Sequence, residues 1–86
     1  MNKAFIRTVL ARADIEPSAK LVLLTMALLA RDGVASLSKR ELAEMTALSE
    51  STVKRAASCL IGLGAVEAER PLDEAGANLP TQYRVL

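Results

Sequence analysis

The chain has 86 residues, of which 51% are hydrophobic and 2% aromatic, so a single small domain with an aliphatic core is expected. Eleven basic and ten acidic residues give a formal net charge of +1, without the large basic excess that is typical of nucleic-acid-binding domains. Cys59 is the only cysteine, which excludes an internal disulfide and, with no secretory signal at the N-terminus, predicts a cytoplasmic protein. The longest nearly apolar run, residues 21–30, is too short to span a bilayer, so no membrane association is expected.

Two helices are predicted in the first third of the chain. Residues 2–13 place apolar side chains three and four positions apart, as on one face of a helix. Pro17 suits the first turn of a second helix, which runs to about Arg31 and is apolar on nearly every side. We therefore expect this second helix to be the most buried element. Gly33 is suited to a left-handed cap at its end.

A pair of capped helices follows. Ser38 and Glu41 have the spacing of a capping box, which predicts a helix over residues 39–45. Residues 46–48 form a tight connection. Ser49 then caps a fourth helix that extends to about Leu63.

The C-terminal part has the pattern of a β-hairpin. Residues 65–70 and 81–86 alternate apolar and polar side chains, which indicates two half-buried strands joined by a loop over residues 71–80. Residues 34–37 are the candidate for a third, minimal strand. The predicted fold is α+β, with four helices and a C-terminal hairpin.

The residues that enzymes use are scarce. There is no histidine, no Cys-x-x-Cys, no glycine-rich phosphate loop and no carboxylate cluster with metal-ligand spacing. Cys59 falls on the apolar side of its helix, where a cysteine acts as a small core residue. We therefore expect no catalytic activity, no metal, no cofactor and no small-molecule ligand.

The helix pair carries the functional signal. Ala43 provides the small residue that two crossing helices require, and Val53 lies six positions after Ala47 to lock the second helix in place. This spacing leaves short hydrogen-bonding groups and two cations facing outward, as a helix that reads a DNA groove requires. The outward residues are Ser49, Glu50, Ser51, Lys54, Arg55 and Ser58.

The segment LSKRELAEMTALSESTVKRAASCLIGLGAV, residues 37–66, resembles bacterial winged helix-turn-helix domains. Such domains occur in GntR-type regulators and in plasmid and phage replication or regulatory proteins. The preceding PSAKLVLLTMALLA and the final GANLPTQYRVL are similar to the first helix and to the wing of the plasmid and phage group. The resemblance covers residues 17–86 and leaves residues 1–16 as an additional helix and link.

The resemblance implies specific DNA contacts. On the second helix of the pair, the residues expected to contact DNA are Ser49, Ser51, Thr52, Lys54 and Arg55. On the first helix, Lys39 and Arg40 would lie near phosphate. Glu50 departs from the basic residue that is frequent there, and either accepts from a cytosine amino group or weakens binding. Asp73 and Glu74 make the wing loop acidic, which argues against a phosphate contact by the wing.

The expected function is sequence-specific binding of double-stranded DNA, as a small transcriptional regulator of a plasmid, phage or other mobile element. Two alternatives remain open, a replication-origin-binding accessory protein and a protein-interaction module that binds no DNA. The extra N-terminal helix is expected to form a homodimer, which would match a palindromic site with half-sites about one turn apart. Its dimerisation residues would be Phe5, Ile6, Val9 and Leu10. The competing interpretation is that this helix packs on its own core.

Overall fold

The computed structural model describes residues 3–69 and 81–85. Within them the chain is α+β, with four helices and one three-stranded antiparallel sheet. The predicted loop over residues 71–80 lies outside the described residues. The elements in chain order are α1 (Lys3–Ala11), α2 (Pro17–Leu29), β1 (Val34–Ser36), α3 (Lys39–Thr46), α4 (Glu50–Gly62), β2 (Val66–Glu69) and β3 (Gln82–Val85).

The sheet has the order β1-β3-β2, so the last strand is the central one. Tyr83 on β3 lies between Ala35 on β1 and Ala68 on β2, and the ring of Tyr83 is buried at 1% exposure. The minimal strand near residue 34 is therefore confirmed, and it pairs with the C-terminal strand. This pairing fixes the C-terminal strand against the middle of the chain.

The core is formed by one side of α2 packed against α4, α3 and the sheet. Ala19, Val22 and Met26 are fully buried on that side. The opposite side of α2 is apolar but open, with Leu21 42% and Leu28 61% exposed. No helix in the described part of the chain is long and apolar enough to cross a membrane.

α1 packs on this same core. Val9 is 3% exposed and Phe5 packs against the core cluster, while the Lys20 ammonium donates a 2.8 Å hydrogen bond to the Leu10 carbonyl. Val9 is thus used inside the chain and is not available to a second copy, which corrects its assignment to a dimer surface. Ile6 is half-buried, and the Leu10 side chain is 56% exposed.

The link between α1 and α2 is anchored by Ile15, which is 3% exposed. Beside it, the Arg12 guanidinium makes two hydrogen bonds, of 2.6 and 3.0 Å, to the Asp14 carboxylate. These bonds lower the pKa of Asp14 and raise the pKa of Arg12. The sequence indicates only a connection here and gives no signal that Ile15 is buried.

The end of α2 differs from the prediction. The helix stops at Leu29, two residues before the predicted end, and Asp32 and Gly33 both adopt positive φ, 52° and 81°. Arg31 and Val34 exchange backbone hydrogen bonds of 2.8 and 3.0 Å across these two residues. An Asp-Gly pair with positive φ at both positions is typical of a two-residue hairpin turn, so Gly33 shapes the entry to β1 instead of capping the helix.

Candidate nucleic-acid interface

α3 begins where the sequence predicts. The Ser38 hydroxyl accepts from the Glu41 amide at 3.0 Å, and the Glu41 carboxylate accepts from the Ser38 amide at 3.3 Å, which confirms the capping box. At the other end, the buried Thr46 hydroxyl donates to the Leu42 carbonyl at 2.6 Å. Both ends of this short helix are therefore fixed by side-chain hydrogen bonds.

The three-residue connection between α3 and α4, residues 47–49, contains one residue in a left-handed conformation. Ala47 has φ 59° and ψ 24°, and Ser49 already has the extended conformation of a helix cap. A left-handed conformation costs a non-glycine residue about 1–2 kcal/mol. The short turn brings α3 and α4 into contact, and Ala43 is the half-buried small residue that packs on the core there.

Ser49 is a helix cap whose hydroxyl is already engaged. Its oxygen accepts from the Thr52 amide at 3.1 Å, and its proton is donated to the Thr52 hydroxyl at 2.8 Å. The Ser51 hydroxyl is a further 3.2 Å neighbour. Capping therefore occupies Ser49, whereas Ser51 is fully on the surface and Thr52 is half-buried.

One face of α4 is buried and the other is open. Val53, Ala56 and Leu60 are buried as the spacing predicts, and Ala57 joins them. The opposite face consists of exposed polar residues three, four and seven positions apart, which turns them in one direction. These residues are Ser51, Lys54, Arg55 and Ser58.

The fold places Lys39 next to this face. A groove runs between α4 and the sheet, and Lys39 from the start of α3 lies on it together with Lys54 and Ser58. β3 and the residue before it contribute Tyr83 and Thr81. Among the described residues that line this groove there are two cations and no carboxylate. The full lining is Lys39, Lys54, Ala57, Ser58, Ile61, Ala68, Thr81 and Tyr83.

Of the predicted site residues, Lys39, Lys54 and Ser58 line this groove, whereas Arg40, Ser49, Glu50, Ser51, Thr52 and Arg55 do not. Arg40 is on the outer side of α3, where its guanidinium is 3.6 Å from the Glu44 carboxylate and both side chains are largely exposed. Such a pair contributes little stability and leaves Arg40 able to turn to another anion. Glu50 is exposed in the first turn of α4, where a negative charge favours the helix dipole.

The cations of α4 carry no internal partner. Within residues 3–69 and 81–85, neither Lys54 nor Arg55 forms an ion pair or a side-chain hydrogen bond. Both are exposed. An unpaired cation on an open face can contact a phosphate or a base edge without first breaking an intrachain interaction.

The outer face of the sheet has the opposite character. Glu67 lies directly across from Arg84, and Glu69 lies across from Gln82. These side chains and Val34 surround a shallow depression on the side of the sheet away from the core. Within the described residues, no group of three or more histidine, cysteine or carboxylate side chains could hold a metal ion. The outer face of the sheet thus carries two carboxylates beside one cation, whereas the described lining of the groove carries two cations and no carboxylate.

Sequence reasoning found the exposed face of α4 but missed part of the groove. Thr81 and Ile61 had no signal of their own, because a threonine before a strand and an isoleucine in a helix are both ordinary. Thr81, the residue before β3, reaches this groove only in the folded chain, where β3 lies between β1 and β2. That strand order could not be derived from alternation alone, since alternation gives faces and not neighbours.

Comparison with known proteins shows a shared fold. No protein-family model matches the chain, and no curated protein matches it. The structure is similar to the crystal structure of the ST1889 protein from the thermoacidophilic archaeon Sulfolobus tokodaii, with a TM-score of 0.63 and 25% sequence identity. The match covers 98% of this chain and 71% of that protein. The similarity supports the α+β arrangement of four helices and a small sheet.

Proposed function

We propose that this chain is a winged helix-turn-helix protein that binds double-stranded DNA without catalysing a reaction. The observation that carries the proposal is the open face of α4, where Ser51, Lys54, Arg55 and Ser58 are exposed and the two cations have no partner among the described residues. α3 and α4 form the helix pair, and α4 enters the major groove with its N-terminal half. A groove about 12 Å wide admits one α-helix.

The chemistry of each residue suggests its part. Arg55 has the planar fork that grips guanine through two parallel hydrogen bonds, whereas Lys54 is a point charge suited to a phosphate. Lys39, which lies on the same groove as Lys54, contacts the same phosphate backbone. Ser58 and Thr81 add hydroxyl groups that can donate to phosphate oxygens.

In this proposal β2 and β3 form the stem of the wing. The tip, with Asp73 and Glu74, lies outside the described residues. Two carboxylates at the tip would repel phosphates, so the stem and α4 supply the backbone contacts and the tip does not.

The biological role that fits this binding mode is transcriptional regulation on a plasmid, phage or other mobile element, in the cytoplasm. It rests on the resemblance of residues 17–86 to the plasmid and phage group. Binding at a replication origin would use the same face of α4.

A gel-shift titration tests DNA binding directly. The wild type should shift random-sequence duplex, and log K should fall with log salt by about 0.9 for each phosphate neutralised. Lys54→Ala should make that slope less steep by about 0.9, the contribution of one phosphate contact. Arg84→Ala removes a cation from the outer face of the sheet, so it is the matched control and should leave the slope unchanged. A folded wild type with no salt-dependent shift would contradict the proposal and favour a protein-interaction module.

A further inference from the structure

The groove between α4 and the sheet changes in chemical character along its length. Ser58 and Ile61 follow Lys54 on α4 at four and seven positions, and all three side chains line the groove. At a rise of about 1.5 Å per residue, the isoleucine lies about 10 Å along the helix axis from the lysine. The helix wall of the groove therefore begins with a positive charge, continues with a hydroxyl and ends with an apolar side chain.

The sheet adds further apolar surface to this groove. Ala68 and Tyr83 are directly opposite each other in the β2–β3 register, so their side chains lie on the same side of the sheet. Tyr83 and Ala57 are almost fully buried, whereas Ala68 is exposed and Ile61 is 44% exposed. The buried pair forms the base of the groove, and the exposed pair is open to a ligand.

Contact with a DNA backbone would use only the polar part of this groove. A phosphate chain is anionic along its whole length, so it suits Lys39 and Lys54 but leaves Ile61 and Ala68 without an apolar counterpart. The groove has a volume of about 360 Å³, within the range of roughly 300–1,000 Å³ that is usual for small-molecule sites. Such sites combine apolar walls with a few placed polar groups. The groove meets that description.

We propose that this groove binds an elongated organic carboxylate, and that the bound ligand displaces DNA. The carboxylate faces Lys39 and Lys54, and the apolar chain runs along α4 towards Ile61 and Ala68. Two cations and no carboxylate among the described lining residues favour an anion over a neutral or cationic molecule. The apolar end favours an anion that carries a hydrocarbon chain over a bare inorganic one.

Displacement follows from the shared lysines. Lys39 and Lys54 would hold either a phosphate of the backbone or the carboxylate of the ligand, so the two occupants exclude each other. The presence of ligand then lowers the apparent affinity for DNA by a factor of 1 + [ligand]/Kd. This second half of the inference rests on the proposed DNA binding, whereas ligand binding depends on the groove alone.

The sequence predicts no small-molecule ligand, and the architecture of the groove explains why. Its lining comes from the start of α3, one side of α4 and the two strands β2 and β3. Each of these segments is ordinary by itself, and only their packing brings the lysines and the apolar side chains to one groove.

A nuclear magnetic resonance titration of the free protein with octanoate tests ligand binding. Octanoate should shift the amide signals of Ile61, Ala68 and Thr81 in a saturable manner, with a Kd on the order of 1 mM, as expected for so small a ligand. Octanamide keeps the chain but has no charge, and acetate keeps the charge but has almost no chain. Each should bind about tenfold more weakly or worse, because the groove has to engage both ends of the ligand.

A variant at the apolar end separates this site from the DNA contacts. Ile61→Asn should weaken octanoate binding about fivefold or more, since the hydrocarbon chain loses its apolar wall. Leu63→Asn is the matched control: Leu63 is 40% exposed and does not line the groove, so octanoate should bind as to wild type. Both variants should shift duplex within about twofold of wild type. Circular dichroism checks their folding, and Ile61→Ala replaces Ile61→Asn if the latter does not fold.

A gel shift in the presence of octanoate tests displacement. With octanoate at about ten times its Kd, half-saturation of the duplex should require about tenfold more protein. Sodium acetate at the same concentration is the control for ionic strength and should change the midpoint by less than about twofold. Saturable octanoate binding with an unchanged duplex midpoint overturns the displacement.

Three results overturn the ligand site itself. They are no saturable change at several times the expected Kd, octanamide binding as tightly as octanoate, and octanoate binding to Ile61→Asn as tightly as to wild type. Signals that move on α2 instead of around the groove would also overturn it, because the exposed Leu21 and Leu28 would then hold the chain. If the wild type binds no duplex, the proposed function fails, and the titration still decides on the ligand site.

Discussion

Arg55 and Lys54 are neighbours on α4, yet their side chains should act differently on DNA. Both are exposed and unpaired among the described residues. A guanidinium can form two parallel hydrogen bonds to one guanine, whereas an ammonium cannot match that geometry. The base preference of the protein should therefore depend on Arg55, and its general affinity on Lys54.

Arg55→Ala should weaken binding to the preferred site by about 1–3 kcal/mol and relax the preference at one base pair. Selection of bound sequences from a random pool, followed by titration of the best site, measures both effects. The free energy of unfolding should change by less than about 0.5 kcal/mol, because the side chain is exposed. An unchanged preference in a folded variant would show that Arg55 reads no base.

Ser49 offers a second test at this scale, because capping and DNA contact make different demands on it. Ser49→Ala should destabilise the protein by about 1 kcal/mol, since the Thr52 amide loses its acceptor. Ser49→Asp restores an acceptor for the cap but adds a negative charge beside the reading face. It should keep stability near wild type and weaken DNA binding, which thermal unfolding and gel shifts would show. Equal losses of stability in both variants would rule out the capping role.

At the scale of elements, the turn between α3 and α4 contains avoidable strain. Ala47 has a φ of 59°, and glycine adopts such a conformation without steric cost. Ala47→Gly should therefore stabilise the protein by up to about 1 kcal/mol, as chemical denaturation would measure. Ala43→Gly, in the middle of α3, is the matched control and should destabilise by a similar amount. A loss of stability in Ala47→Gly would mean that the methyl group makes a contact of greater value than the strain it causes.

The elements themselves could largely be predicted from the sequence. Ser38 with Glu41, and Ser49 with Thr52, are local signals, and the structure confirms both helix starts. The end of α2 could not be predicted, because the Asp32–Gly33 pair suits a helix cap and a hairpin turn equally well. The pairing of β1 with β3 favours the hairpin turn over the helix cap, and it joins residues some fifty positions apart in the chain.

The candidate site shows the same division between local and distant information. The exposure of Lys54, Arg55 and Ser58 follows from the helical period, since Val53 and Leu60 fix the buried side. The approach of Lys39 to Lys54 needs the packing of α3 on α4, which no periodicity contains. The stripe on α1 likewise reveals an apolar face, but not which part of it the core of the same chain covers: Val9 is buried there, whereas Leu10 is 56% exposed.

At the scale of the whole molecule, the arrangement of surfaces explains how a chain with a net charge of +1 can be proposed to bind DNA. Lys39 and Lys54 share one groove, while Glu67 and Glu69 lie on the outer face of the sheet. Local potential, rather than net charge, acts on a bound phosphate within a Debye length of about 10 Å.

The place of α1 in this arrangement yields the last prediction. Removal of residues 1–13 would uncover the part of the core that Val9 fills and that Phe5 covers. Burial of one such side chain contributes about 1.5–3 kcal/mol, so the truncated chain should lose roughly 3 kcal/mol or more, a large share of the stability of a small domain. Denaturant titration of both chains measures the loss, with Arg7→Ala, on the exposed side of α1, as the control that should stay near wild type. A truncated chain as stable as the full one would show that α1 is an appendage and would return Phe5 and Val9 to the surface available for a partner.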